Sequence, residues 1–251
     1  MIAAARMQAV LIARSPDLLA TLAVIPLYSL VFFTALVHHH RESAATTVAL
    51  TAFLMSLWSH AVFVAAETVD TDRREGTLEP SLLTPGRYLA ALAVRVGTTT
   101  ALGLPVLAEV LLIGRLGFGL PVRIAEPGLC LLVAALTALG VAATALLISG
   151  VMILVRGARA LQNALTYPFY LLAGLIVPIG VLPAPVRAVA RCFFLAHGAQ
   201  LLRDAAAGTA DGAGPRVALL AALVAVHLLL GLLVLRRVLA SVRTGEVALH
   251  A

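Results

Sequence analysis

The sequence predicts an all-α integral membrane protein with six transmembrane helices. Of its 251 residues, 61% are hydrophobic and 12% are charged, whereas roughly a quarter of a typical soluble domain is charged. Several stretches of about twenty residues carry no charge, which matches the roughly 30 Å of hydrocarbon that a spanning helix crosses. Because lipid cannot satisfy backbone hydrogen bonds, we expect these stretches to be helical.

The chain divides into an interfacial helix and six spans, all within one domain over residues 1–251. Residues 1–14 mix apolar and arginine side chains, which is typical of a helix lying in the membrane interface. Residues 15–17, Ser-Pro-Asp, then give a helix start. The predicted spans are residues 18–37, 46–66, 89–113, 129–155, 164–181 and 216–235.

Two of these spans carry unusual residues. In span three, Arg95 and Glu109 are fourteen residues apart, about 21 Å along a helix, so they cannot pair within it. Pro105 predicts a kink between them. Glycines and prolines from Gly174 to Pro185 interrupt span five. The segment between spans five and six is therefore expected to be a broken helix, either re-entrant or lying at the interface.

The charged residues exclude several functions. All eighteen basic residues are arginine, and a P-loop needs a lysine, so ATP and Mg²⁺ are expected on a partner chain and no cofactor on this one. The arginines are scattered, which argues against nucleic-acid binding. No metal site is predicted, because Cys130 and Cys192 lack metal-ligand spacing and residues 38–40, three histidines, suit a solvated loop. With Arg95 left out as intramembrane, ten arginines fall on the side of the termini against seven opposite, which favours cytoplasmic termini.

One strongly charged run interrupts the apolar sequence between spans two and three. Residues 67–79 hold five of the twelve acidic residues, so this segment must lie in water at a membrane surface. A helical segment here, with one apolar side chain, is suited to docking a partner. The candidate docking residues are Asp70, Asp72, Arg73, Arg74, Glu75, Gly76, Thr77, Leu78 and Glu79.

The sequence Glu75-Gly-Thr-Leu-Glu79, with residues 82–87 after it, resembles the cytoplasmic signature of the ABC-2 type ABC-transporter permeases. The broken fifth span, before the Leu-Leu-Arg-Asp of residues 201–204, is similar too. The resemblance implies a coupling helix over about 70–79, with Leu78 as an apolar knob docked in a P-loop ATPase subunit. It also implies a second permease copy, identical or related, and a multidrug- or antibiotic-exporter-like role in the bacterial cytoplasmic membrane. Lysine-free, alanine-rich composition agrees with a high-GC bacterium.

The cargo implied by the resemblance is an amphipathic small molecule, a peptide antibiotic or a lipid-like compound. The chain departs from the family pattern at residues 196–198, Ala-His-Gly, where a Pro-Leu pair is usual, so this loop indicates no particular cargo. A path between two protomers would be lined by spans two and five, in contact with membrane lipid. The candidate path residues are Trp58, Phe63, Tyr167, Phe169, Tyr170 and Glu109.

Two other functions remain open at this stage. A proton-driven secondary transporter could use Glu109, His60 or His227, and it predicts transport that needs no ATP. An intramembrane lipid-modifying enzyme is the second alternative. Against an enzyme, the sequence has no HExxH, no GxSxG and no carboxylates one turn apart within a span, so no catalytic residue is predicted.

Overall fold

A computed structural model describes residues 29–83, 87–154 and 158–244, and every long regular element in these ranges is a helix. The predicted interfacial helix and the first part of span one lie outside the described residues. The helices are α1 (Ser29–His38), α2 (Ala45–Arg74), α3 (Leu78–Leu83), α4 (Arg87–Leu102), α5 (Val106–Leu112), α6 (Pro127–Leu154), α7 (Ala158–Leu172), α8 (Ala184–Arg191), α9 (Phe194–Ala207) and α10 (Gly214–Arg243).

Among the described residues, four helical stretches are long and apolar enough to cross a membrane, and they correspond to predicted spans two, three, four and six. They are Glu42–Arg74, Tyr88–Gly117, Pro127–Leu154 and Gly214–Val242. Helices α2 and α10 continue well past the predicted ends at 66 and 235. The third stretch is interrupted between α4 and α5, where Pro105 has no N–H to donate. The predicted kink is confirmed.

The fifth predicted span, 164–181, ends too late, because α7, described from Ala158, ends at Leu172. Its fifteen described residues cover about 22 Å. The helix ends at Gly174, whose φ of 68° lies in the left-handed region that glycine adopts readily. Leu175 N donates a hydrogen bond to Tyr170 O across this turn, which closes the end of α7.

After this turn the chain goes back into the bundle before leaving it. Phe194, at the start of α9, packs against Gly140, which is the middle residue of the long helix α6. At the other end of α9, Ala206 O accepts a hydrogen bond from Ala125 N, just before α6 begins. The segment over α8 and α9, residues 184–207, therefore reaches the middle of the bundle and returns; we call it the re-entrant segment.

Helix α6 is the centre of the fold, since α2, α4, α9 and α10 all pack on it. Small residues allow close approach there. A Cβ added to Gly198 would lie 2.4 Å from Thr137 Oγ1. This close contact explains the glycine at the end of Ala-His-Gly, residues 196–198, where the chain departs from the family pattern. The outer faces of α6 and α10 expose leucines such as Leu131 and Leu229, as expected where lipid is the neighbour.

Candidate functional site

The charged run lies at one end of the bundle, where α2 ends and the short helix α3 begins; we call it the α3 end. Helix α2 continues without a break into this run and stops at Gly76, whose φ is 67°. Thr77 N donates to Asp72 O at 2.9 Å and Gly76 N to Arg73 O at 3.1 Å, a Schellman motif. The run is therefore a rigid helix end followed by a tight turn.

Two charged residues of the run face the protein. The carboxylate of Asp72 lies 3.2 and 3.3 Å from Arg95 Nη1 on α4, and Asp72 is only 9% exposed. Arg73 Nη2 donates to Met152 O at 3.1 Å and Ile153 O at 3.0 Å. These carbonyls belong to the last described turn of α6, and the C-terminal end of a helix favours positive charge. The end of α2 is thus tied to both α4 and α6.

Helix α3 also attaches to the body of the protein. Leu78 and Leu82, one turn apart, are 3% and 0% exposed, and α3 packs against α2, α4 and α10. Leu78, which was expected to be an apolar knob docked in the ATPase, is buried against this chain instead. The expected single coupling helix over about 70–79 is wrong, because residues 70–74 belong to α2 and a separate helix starts at Leu78. The reason is Gly76, which breaks the helix between them.

The remaining residues of the run face outward and form what we call the docking surface, defined by Arg74, Glu75, Gly76, Thr77 and Glu79. Arg74 is held in place by its own helix, since its Nη2 lies 2.6 Å from Glu67 Oε1 and its Nη1 lies 3.6 Å from Asp70 Oδ2. Asp70 is half-buried. The predicted docking residues thus divide into an inner set that anchors the helix end and an outer set free to meet a partner.

A cluster of rings occupies the middle of the bundle; the aromatic cluster consists of Trp58, Phe169, Phe193, Phe194 and His227. The centroid of the Trp58 ring lies 4.6 Å from that of Phe169 and 5.9 Å from that of Phe193. The centroids of the Phe194 and His227 rings are 5.0 Å apart. The cluster joins α2, α7, α9 and α10 at the point where the re-entrant segment is deepest.

The predicted path residues are only partly brought together. Trp58 is fully buried and packs inside this protomer. Tyr170 is also buried, and its hydroxyl bonds to Ser59 Oγ and, at 2.8 Å, to Met55 O. Tyr167 is 71% exposed. Glu109 lies on α5, away from the aromatic cluster, and Phe63 lies beyond Trp58 toward the α3 end.

In the part of the chain that the structure describes, no three histidine, cysteine, aspartate or glutamate side chains are grouped as metal ligands would be. The His38 and His39 rings contact each other edge to face, with centroids 5.3 Å apart. Sequence reasoning missed the Asp72–Arg95 pair and the contact of Arg73 with α6. Neither has a local signal, because each partner comes from a distant part of the chain.

Long apolar helices in one bundle, with a charged helix end at one side, define the class: a multi-pass helical membrane protein with an exposed charged surface at one end. The model of the ABC-2 type transporter family matches residues 1–206. This chain belongs to that family and is a transmembrane permease of an ABC transporter. Neither the curated proteins nor the solved structures contain a match.

Proposed function

We propose that this chain is the permease subunit of an exporter that moves an amphipathic molecule across the bacterial cytoplasmic membrane. Energy comes from a separate P-loop ATPase, which holds the ATP and Mg²⁺. The observation that supports this most directly is the docking surface: it is exposed, yet it continues from the unbroken helix α2 and is anchored by Asp72 and Arg73. Antibiotics, peptides and lipid-like compounds are all candidate cargo.

The anchoring supports a coupling role in a simple way. A partner that moves a flexible loop loses the movement in the loop, whereas a partner that moves a helix end moves the helix. Here the helix end is tied to α4 through Arg95 and to α6 through Met152 and Ile153. Movement of the docking surface would therefore reach three membrane helices together.

A second permease copy completes the assembly in this proposal, and both termini lie on the cytoplasmic side with the α3 end. The path between the copies would include the exposed Tyr167. Trp58 could contribute only after rearrangement, since it is buried within the protomer.

The test is co-purification of the partner ATPase with the tagged chain, extracted in mild detergent from its native membrane. The double variant Glu75→Arg and Glu79→Arg reverses two exposed charges and should reduce ATPase recovery by about tenfold or more, because a partner surface complementary to two carboxylates is basic and disfavours added arginines. Leu78 is not a suitable probe, because its substitution would disturb the packing of α3.

Glu42→Arg with Asp211→Arg is the matched control. Both residues are exposed and lie at the opposite end of the bundle. This double variant makes the same change in net charge as Glu75→Arg with Glu79→Arg, but away from the docking surface, so ATPase recovery should stay at the wild-type level. If no P-loop ATPase accompanies the intact chain, or if Glu75→Arg with Glu79→Arg retains it fully, the proposed coupling is wrong.

A further inference from the structure

An open cleft of about 520 Å³ lies between α1, α2, the turn after α7, and α9. This volume is within the range of small-molecule binding sites. Much of the wall is apolar, formed by Phe32, Val48, Met55 and Ile176. The polar groups are two hydroxyls, of Thr47 and Thr51, and one cation, Arg203.

The polar and apolar parts of the cleft lie at different depths. Thr47 is near the start of α2, at the end of the bundle opposite α3, and Met55 lies eight residues deeper, about 12 Å along the helix. Arg203 is one turn before Ala206, whose carbonyl meets Ala125 at that same end. The charge is thus near the rim, and the apolar wall runs from it toward the aromatic cluster.

Among the described residues, no carboxylate forms an ion pair with Arg203, and the neighbouring Asp204 acts on its charge only at longer range. Arg203 Nη2 donates to Gly174 O at 2.9 Å, its one hydrogen bond among the described residues, although a guanidinium has five N–H donors. The neighbouring carboxylate of Asp204 is engaged elsewhere, with Arg216 Nη2 at 2.5 Å and Gln200 Nε2 at 3.0 Å. A half-buried cation with unused donors therefore lies beside an apolar wall.

We propose that this cleft binds a single-chain anionic amphiphile, with a phosphate or carboxylate head on Arg203 and the chain along α2 toward Met55. The guanidinium fork matches both head groups, and the depth profile matches a molecule with one charged and one apolar end. Such a molecule is either a resident membrane lipid or the transported cargo, and only the second source rests on the proposed function.

The single tryptophan of the chain, Trp58, is one turn below Met55 and reports on the deep end of the cleft. The chain is placed in phosphatidylcholine nanodiscs and titrated with lysophosphatidic acid brominated in mid-chain, which quenches nearby tryptophan. The comparison is lysophosphatidylcholine with the same brominated chain. We expect saturable quenching by the brominated lysophosphatidic acid. The affinity for the brominated lysophosphatidylcholine should be at least about tenfold weaker, since only lysophosphatidic acid has a net negative head.

Arg203→Gln should weaken binding of lysophosphatidic acid by about tenfold or more, and Arg203→Lys by less, because lysine keeps the charge without the fork. Arg115→Gln is the matched control: this exposed arginine lies at the same end of the bundle but outside the cleft, and its loss should change nothing. Thr51→Phe, which fills the cleft and leaves Arg203 intact, should also abolish saturable quenching. Equal affinities for both probes, or unchanged affinity in Arg203→Gln, would overturn the proposal.

The two sources are separated by adding the co-purified ATPase with ATP. Cargo should be displaced, so that Trp58 fluorescence recovers during hydrolysis, whereas a resident lipid should stay bound. If no ATPase is found, the nanodisc titration still decides whether the cleft binds an anionic amphiphile.

Discussion

Asp72, Arg73 and Arg74 are consecutive, and the helix turns each to a different neighbour. Successive side chains are about 100° apart on a helix, so Asp72 faces Arg95 on α4, Arg73 faces the end of α6, and Arg74 faces solvent beside Glu67. Only the first is largely removed from water. An ion pair at such a depth is costly to break, because the remaining charge keeps its desolvation cost without its partner.

Asp72→Asn should therefore destabilise the protein by about 1–3 kcal/mol, less than for a fully buried pair because Arg95 retains some solvent contact. The measurement is SDS-induced unfolding in mixed micelles, followed by Trp58 fluorescence. Adding Arg95→Met to Asp72→Asn should recover part of the loss, since neither charge then remains unpaired.

Asp70→Asn on the same helix is the control, because it removes only a contact with the exposed Arg74 at 3.6 Å. It should cost less than about 0.5 kcal/mol. Equal losses of unfolding free energy for Asp70→Asn and Asp72→Asn would show that the ion pair with Arg95 does not stabilise the protein.

The sequence predicted that the residues of the charged run lie at the protein surface. The structure divides them into an inner set, which anchors the helix end, and an outer set, which is exposed. A signal for the inner set was present, since Leu78 and Leu82 are four residues apart and so share one face of a helix. Asp72 and Arg95 gave no such signal. Their contact depends on how the chain returns through α4, which is a tertiary property.

Helices α6 and α10 share an extensive contact, and Gly231 allows their backbones to approach closely. A Cβ added to Gly231 would lie 2.7 Å from Ala143 O. The obstacle is backbone, so no side-chain rotation on α6 can relieve it. Any larger residue must move α10 away from α6.

Gly231→Ala should thus destabilise the protein by about 1–3 kcal/mol, the usual cost of overpacking. Gly97→Ala is the matched control, because Gly97 is also within a helix but has open space around its Cα. It should be neutral or stabilising by up to about 1 kcal/mol, through the higher helix propensity of alanine. The same SDS unfolding assay compares them, and equal effects would contradict the close packing of α10 on α6.

The existence of the long helices could be predicted from the sequence, and their ends could not. Uninterrupted apolar stretches identified α2, α6 and α10, and Pro105 identified the break in span three. The ends depended on contacts outside the apolar stretch: α2 continues to Arg74 because α4 and α6 supply partners for its charges. The return of α8 and α9 to the middle of the bundle also required tertiary contacts, chiefly between Phe194 and Gly140.

Across the whole molecule, α2 connects the docking surface to the aromatic cluster. It is a single helix of 30 residues, about 45 Å long, and its sequence contains no proline that would bend it. Its Trp58 contacts Phe193 on the re-entrant segment, next to the exposed Cys192. A tilt of α2 at the α3 end must therefore shift the surroundings of Cys192.

This connection predicts that the state of the ATPase controls the reactivity of Cys192. In a Cys130→Ala background, which removes the other, buried thiol, we expect labelling of Cys192 by a membrane-permeant maleimide to change at least about threefold between the nucleotide-free and vanadate-trapped complexes, as for a rigid-body transition between two states. Glu75→Arg with Glu79→Arg should remove this difference by uncoupling the ATPase, and Glu42→Arg with Asp211→Arg should retain it. If the assembled wild-type complex labels at the same rate in both states, α2 does not transmit movement from the docking surface to the re-entrant segment, even where the ATPase is bound.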